Sequence, residues 1–421
     1  MQCKEQSRSL IFHTSWRATT AALAMAIVLA LTVLLTHTAQ AQTYTVLHGF
    51  TGGQDGGHPY AGVTLDKAGN LYGTASDGGH GYGAVYKLTY KNSSWVFTPL
   101  YDFTGGSDGA YPYGGITVGP DGSLYGTTNG GGVGNNGTIF NLKPTPTRPP
   151  TPLTPWIEKV LYSFKGGSDG KWPQYVDLVF DQAGAIYGTA SAGGVGRCQN
   201  FGCGVVYELT PSGQSYTQSV LYSFTDGSDG GVPYGGVIFD PAGNLYTTSS
   251  FQAGAVIELS PLGDGWIETT IHAFGYTDGQ EPWSGLTRDN SGNLYGTTVG
   301  GGPNGGGTVF ELTPSGGNWT FDLLYGFSGQ LGPIGGSVIM DTAGNLYGTR
   351  NNEGAHGTCG SVFKLTPSGV GWAYTSLYDF TCGSDGGRPY GQLVMDANGN
   401  LYGTASAFGT TGDGVVFEIT P

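Results

Sequence analysis

Six carboxylates recur in this chain at one kind of place. Asp55, Asp108, Asp169, Asp229, Asp278 and Asp385 each precede a glycine in similar glycine-rich stretches, and the matching stretch from Ser328 to Gly332 has lost the residue. Two chemistries fit this pattern. Gathered at one opening, six like charges favour a bound cation, with Ca2+ the natural choice. Taken singly, each aspartate caps its own turn ahead of a glycine. No one stretch supplies the several oxygen ligands that calcium requires, so capping is the expected role and a Ca2+ site the alternative.

Just past these aspartates stand Tyr60, Tyr113, Tyr234, Trp283 and Tyr390, each behind a proline, whereas the third and sixth copies carry Gln174 and Ile334. Aromatic rings at such positions stack on sugar rings or on a partner's side chains, or they plug a channel. These five are the candidate ligand-binding residues. Other chemistry is thin. Ser107 and Ser168 lie in G-x-S-x-G strings, but in strand-to-strand loops, and a nucleophile elbow needs a strand-to-helix turn. Gly132 to Gly137 spells G-x-G-x-x-G, with a strand following it where a dinucleotide site needs a helix. His48 and His272 replace a recurring tyrosine, and His58, His80 and His356 lack metal-ligand spacing.

Residues 1 to 41 read as an export signal. Lys4, Arg8 and Arg17 precede an apolar run from Ala21 to Leu35, and Ala39-Gln40-Ala41 offers a small-x-small cleavage pattern, which predicts a mature chain beginning at Gln42. Export makes disulfides the expected state of Cys198, Cys203, Cys359 and Cys382. Four cysteines allow three pairings; nearness favours Cys198 with Cys203, leaving Cys359 for Cys382. A formal charge of -14 repels phosphate backbones, which excludes nucleic acid and anionic membrane as expected partners.

What positions these residues is a repeat. Gly69-Asn70-Leu71-Tyr72-Gly73-Thr74 returns in versions centred on Tyr125, Tyr187, Tyr246, Tyr295, Tyr347 and Tyr402, a period of about 55 residues. Four short alternating segments fill each period; in the first copy they are A (61–65), B (71–75), C (84–88) and D (95–103). Asp-x-x-Gly-Asn joins A to B, and a Gly-rich loop joins B to C. There are seven such sets, but the mature chain opens on a D segment, Tyr44 to Phe50, and ends on a C segment, Val415 to Thr420. Pairing the first strand with the last blade removes the free edges of an open array, so the expected fold is all-β: a single seven-bladed β-propeller of four-stranded blades over 42–421. A Pro-rich loop insertion over 143–155 interrupts the second copy. The repeated tyrosines are expected to pack between blades with their hydroxyls satisfied, and Gly73 to admit the backbone of an adjacent blade.

The recurring Gly-Asn-Leu-Tyr-Gly-Thr, the Gly-rich loop and the Leu-Tyr-x-Phe strand resemble the GloVer tandem repeats of choice-of-anchor exported bacterial proteins. More loosely, Asp-x-x-Gly-Asn-Leu-Tyr is similar to a hairpin of NHL-type propellers, which are mostly interaction modules and include some enzymes. The resemblance implies a bacterial exported repeat protein and supplies no catalytic residue. The expectation is a monomeric secreted, periplasmic or cell-surface binding module for an extracellular glycan or protein, without a membrane span once the signal is removed. Two alternatives are a carbohydrate-active or lyase-type enzyme with a metal-assisted site at the channel mouth, and a structural envelope protein.

Overall fold

The computed structural model describes residues 42–145, 156–175, 177–213, 215–329, 332–333 and 336–421. Residues 1–41, read above as an export signal, most of the Pro-rich insertion and Ile334 lie outside the described residues. Within Thr43–Thr420 the strands form seven antiparallel four-stranded sheets, each assembled in the order A, B, C, D, as in a seven-bladed β-propeller. The last sheet takes its fourth strand from the N-terminus: Thr43–Gly49 pairs with Val415–Thr420, with Thr43 opposite Thr420 and Gly49 opposite Val415.

The A strands are shorter than the alternation predicts. Only Thr64–Leu65 and its six counterparts pair with strand B. The preceding residues leave their own sheet and press against neighbouring blades. A Cβ added to Gly62 would stand 2.0 Å from the Gln392 carbonyl oxygen, and one on Gly391 would stand 2.2 Å from the Gly62 nitrogen. Threonine hydroxyls of strand B tie these segments between blades: Thr74 donates to the Gly114 carbonyl, Thr189 to Gly235, and Thr404 to Ala61.

The Leu-Tyr-Gly-Thr strand has a separate reason for each residue. Leu71 is core, and the Tyr72 ring packs with Ile116, Leu124 and Phe140 of the next blade. Its hydroxyl donates to Asp66 of its own A-to-B turn at 3.1 Å, and Tyr246, Tyr295, Tyr347 and Tyr402 repeat that bond. The repeated tyrosine is therefore interblade packing with a satisfied hydroxyl. The glycine differs from expectation. Gly73 makes room for a ring of its own sheet, not for a neighbouring backbone: Gly73 faces Tyr86, Gly126 faces Phe140 and Gly296 faces Phe310. A Cβ on Gly126 would lie 2.6 Å from Cζ of Phe140. In the fourth blade Thr247 replaces the glycine, and the residue facing it is Ile257. The two positions covary within this one chain.

Candidate functional site

One end of the propeller gathers the D-to-A and B-to-C loops, which are bridged to each other at Gly57 and Asp77, Ala110 and Gly130, and Gln280 and Gly300. The inner segments of all seven blades line a cavity of about 470 Å³ along the axis. Three residues upstream of each buried anchor (Val63, Ile116, Leu178, Val237, Leu286, Leu393) stands an aromatic residue: Tyr60, Tyr113, Tyr175, Tyr234, Trp283 and Tyr390. All six are half-buried. Ring centroids lie 5.3 Å apart for Tyr60 and Tyr390, 5.3 Å for Tyr60 and Tyr113, and 5.7 Å for Tyr113 and Tyr175. The arc continues at 6.1 Å from Tyr175 to Tyr234 and 5.0 Å from Tyr234 to Trp283. The structure therefore brings all five candidate rings together and adds a sixth, Tyr175. Reading forward from Pro173 puts Gln174 in the ring's place; counting back from the core residue Leu178 finds Tyr175. Burial raises the hydroxyl pKa of Tyr60, Tyr113 and Tyr234, so these groups are neutral donors at physiological pH.

A second set of residues borders these rings. His58, Tyr111, Trp172, Val232, Glu281 and Arg388 have φ between 52° and 57°, the left-handed region, and each precedes a proline. Each donates its backbone N–H to the B-to-C loop of the preceding blade: Tyr111 to the Tyr82 carbonyl at 2.8 Å, Trp172 to Asn136 at 2.9 Å, and Arg388 to Cys359 at 2.7 Å. The backbone is a clip between blades, and glycine would hold it with less strain. Yet six different side chains occupy it. Glu281 and Arg388 are exposed and the other four half-buried. Arg388 and Asp77 act with opposite signs on the Tyr60 hydroxyl, and Glu281 raises that of Tyr234, so these side chains and the rings belong to one surface. The sequence signal for this set is a variable residue fixed ahead of a proline, which an aromatic follows directly in five of the six.

The six aspartates have work within their own turns. Asp229 accepts from the Tyr222 hydroxyl at 2.8 Å, the Thr225 N–H at 2.7 Å, the Thr225 hydroxyl at 2.8 Å and the Gly227 N–H at 2.9 Å. Asp108 and Asp385 repeat the tyrosine, threonine N–H and threonine hydroxyl bonds, and Asp169 takes Tyr162 with the N–H groups of Lys165 and Gly167. In the remaining two turns histidine stands for tyrosine: Asp55 meets His48 at 3.1 Å and Asp278 meets His272 at 3.0 Å. Those imidazoles stack on Phe97 at 3.9 Å and Phe321 at 4.3 Å. Burial lowers both histidine pKa values, against the pull of the aspartates. For Asp385, burial works to raise the pKa, but bonds from Thr381 and Tyr378 outweigh it and hold the carboxyl below 3.8. Among the described residues, no three His, Cys, Asp or Glu side chains group closely enough to hold a metal ion. Both expected disulfides are formed: Cys198 to Cys203 within one B-to-C loop, and Cys359 to Cys382 between a B-to-C loop and the next D-to-A loop.

Sheet order, blade number and axial cavity define a seven-bladed β-propeller with an aromatic-lined mouth. The chain belongs to the Gloeobacter/Verrucomicrobia repeat family, which matches residues 33–155 and 247–421. The span between holds the third copy, where Gly184-Ala-Ile-Tyr187 replaces Gly-Asn-Leu-Tyr. A search of curated proteins returns no match. Among solved structures, a polysaccharide lyase described as an ulvan lyase is 10% identical with a TM-score of 0.51, covering 86% of this chain and 92% of that one. A protein of Bacteroides fragilis described as a 6-phosphogluconolactonase is 15% identical with a TM-score of 0.50, covering 87% and 89%. At these identities the likeness shows the fold alone. No helix among the described residues is long and apolar enough to cross a membrane.

Proposed function

We propose that the protein is an exported binding module that holds an extracellular glycan at the loop-rich mouth of the propeller. The observation that carries this reading is the convergence of six half-buried rings beneath a rim of six dissimilar side chains. Tyrosine and tryptophan offer an apolar face to a pyranose ring and a polar edge to its hydroxyls, and their order comes at little entropic cost because neighbouring rings already fix them. The charge of -14 favours a neutral or amine-bearing glycan over a polyanionic one. Two disulfides on the same face suit an oxidising compartment and hold its loops.

The test is thermal unfolding of the purified protein across a polysaccharide panel, with calcium or with chelator. A ligand at about 100 times its Kd adds about 2.7 kcal/mol, a readily measured shift. A glycan shift independent of calcium supports the reading. A response to calcium alone would move the site to the aspartate turns, and new reducing or unsaturated ends would make the protein an enzyme. No shift with any glycan would redirect the search to a protein partner.

A further inference from the structure

Directly beneath the rings, four of the seven inner segments carry glycine, at Gly62, Gly115, Gly236 and Gly285, and the other three carry Asp177, Ser337 and Gln392. Among the described residues lining the cavity, Asp177 is the one carboxylate, and none is a lysine, arginine or histidine. A Cβ on Gly115 would stand 2.3 Å from Asp177 Oδ1, so the glycine of blade two leaves the space that the carboxylate of blade three fills. The side chain is open to the lumen but walled in by the surrounding blades. That enclosure raises its pKa, opposed only by a hydrogen bond from the Gly115 N–H. A carboxylate placed so, where four of its six repeat partners are glycines and none of the six is charged, is a cost to the fold without a counter-ion.

We propose that the channel is a binding site for an organic ammonium ion, with Asp177 as its counter-ion and the four rings that line it, Tyr60, Tyr113, Tyr175 and Tyr390, as its cation–π walls. The chemistry selects this class. A hard metal ion takes six or more oxygen ligands, whereas an alkylammonium needs one negative charge and aromatic faces. A cavity of about 470 Å³ suits a small ligand. This deepens the reading above by sharing its rings, but stands without its glycan. An amino sugar would engage both parts, and a free amine only the channel.

Asp177 also has a structural use, as the acceptor for Gly115. Asp177→Asn keeps an acceptor there and removes the charge, which separates the two roles. The probes are tetramethylammonium, ethylammonium and glucosamine, with neutral tert-butanol and a neutral glucose oligosaccharide as controls, measured by calorimetry and thermal shift. The wild type is expected to bind at least one ammonium and not tert-butanol, and Asp177→Asn to bind it at least tenfold more weakly with its Tm unchanged or higher. Asp177→Gly, which installs the residue that four of the other blades carry, serves if the asparagine variant folds poorly. Binding of tetramethylammonium distinguishes a free cation site from an amino-sugar site. Tyr113→Ala is expected to weaken both ammonium and glycan, and Asp177→Asn the ammonium alone. Absence of any ammonium binding, or affinity within twofold in Asp177→Asn, overturns the proposal and leaves the glycan reading intact.

Discussion

The exchange of Gly126 and Phe140 for the pair that the fourth blade already uses is the sharpest perturbation of the scaffold. Gly126→Thr places a Cβ 2.6 Å from Cζ of Phe140, a fully buried ring. Overpacking of this kind costs about 2–3 kcal/mol. Phe140→Ile alone leaves a void beside the unfilled glycine, at about 2 kcal/mol. If the two changes were independent, the double variant would lose about 4–5 kcal/mol. The fourth blade, with Thr247 facing Ile257, shows that threonine and isoleucine fill the same space together. The double variant is therefore expected to lose about 1–2 kcal/mol, a coupling of at least about 2 kcal/mol. Urea unfolding of wild type, both singles and the double measures it. Additivity within about 0.5 kcal/mol would refute the claim that the strand-B glycine exists for the strand-C ring.

Other consequences follow from the turns and the buried acids. Asp229→Ala removes four hydrogen bonds from a residue with 3% exposure and is expected to cost about 3 kcal/mol equally in calcium and in chelator; a loss seen only with calcium would point to a bound cation. His48 and His272 have folded-state pKa values below 6.5, so the unfolded chain takes their protons first and stability falls as pH drops below 6.5. His48→Tyr with His272→Tyr, the residue of the other turns, should abolish that phase in Tm against pH, leaving the carboxylate phase below 3.8. Glu158 is pushed up to about 7 by burial and by Asp108, so its ionisation opposes folding increasingly from pH 4.5 to about 7. Glu158→Gln should raise Tm above pH 7 and leave it unchanged below 4.5.

Blade number and strand order were legible because the period of Leu-Tyr-Gly-Thr is a local signal, and the D segment at Tyr44 already told where the first strand belongs. The Cys198–Cys203 disulfide was legible from proximity along the chain, and Cys359–Cys382 as the pair that remained. The role of Gly73 was not. Its partner, Tyr86, lies across a sheet register that only the paired strands reveal, although the joint change at Thr247 and Ile257 records it. The five rings were visible by type, but their convergence depends on the glycine contacts that draw the inner segments together, and Tyr175 was hidden by a proline displaced by one residue. Asp177 was passed over because a single aspartate in a variable stretch carries no motif. Its meaning arises from the six other segments around it.

On the reading proposed above, the ligand sits at the ringed mouth. The most direct measurement is calorimetric titration of whichever glycan stabilises the wild type into Tyr113→Ala, Tyr234→Ala and Tyr390→Ala. Loss of a stacking ring is worth about 1–2 kcal/mol, so affinity is expected to fall about tenfold in at least two of the three, with unfolding still cooperative. Affinities within twofold of wild type in all three would contradict it.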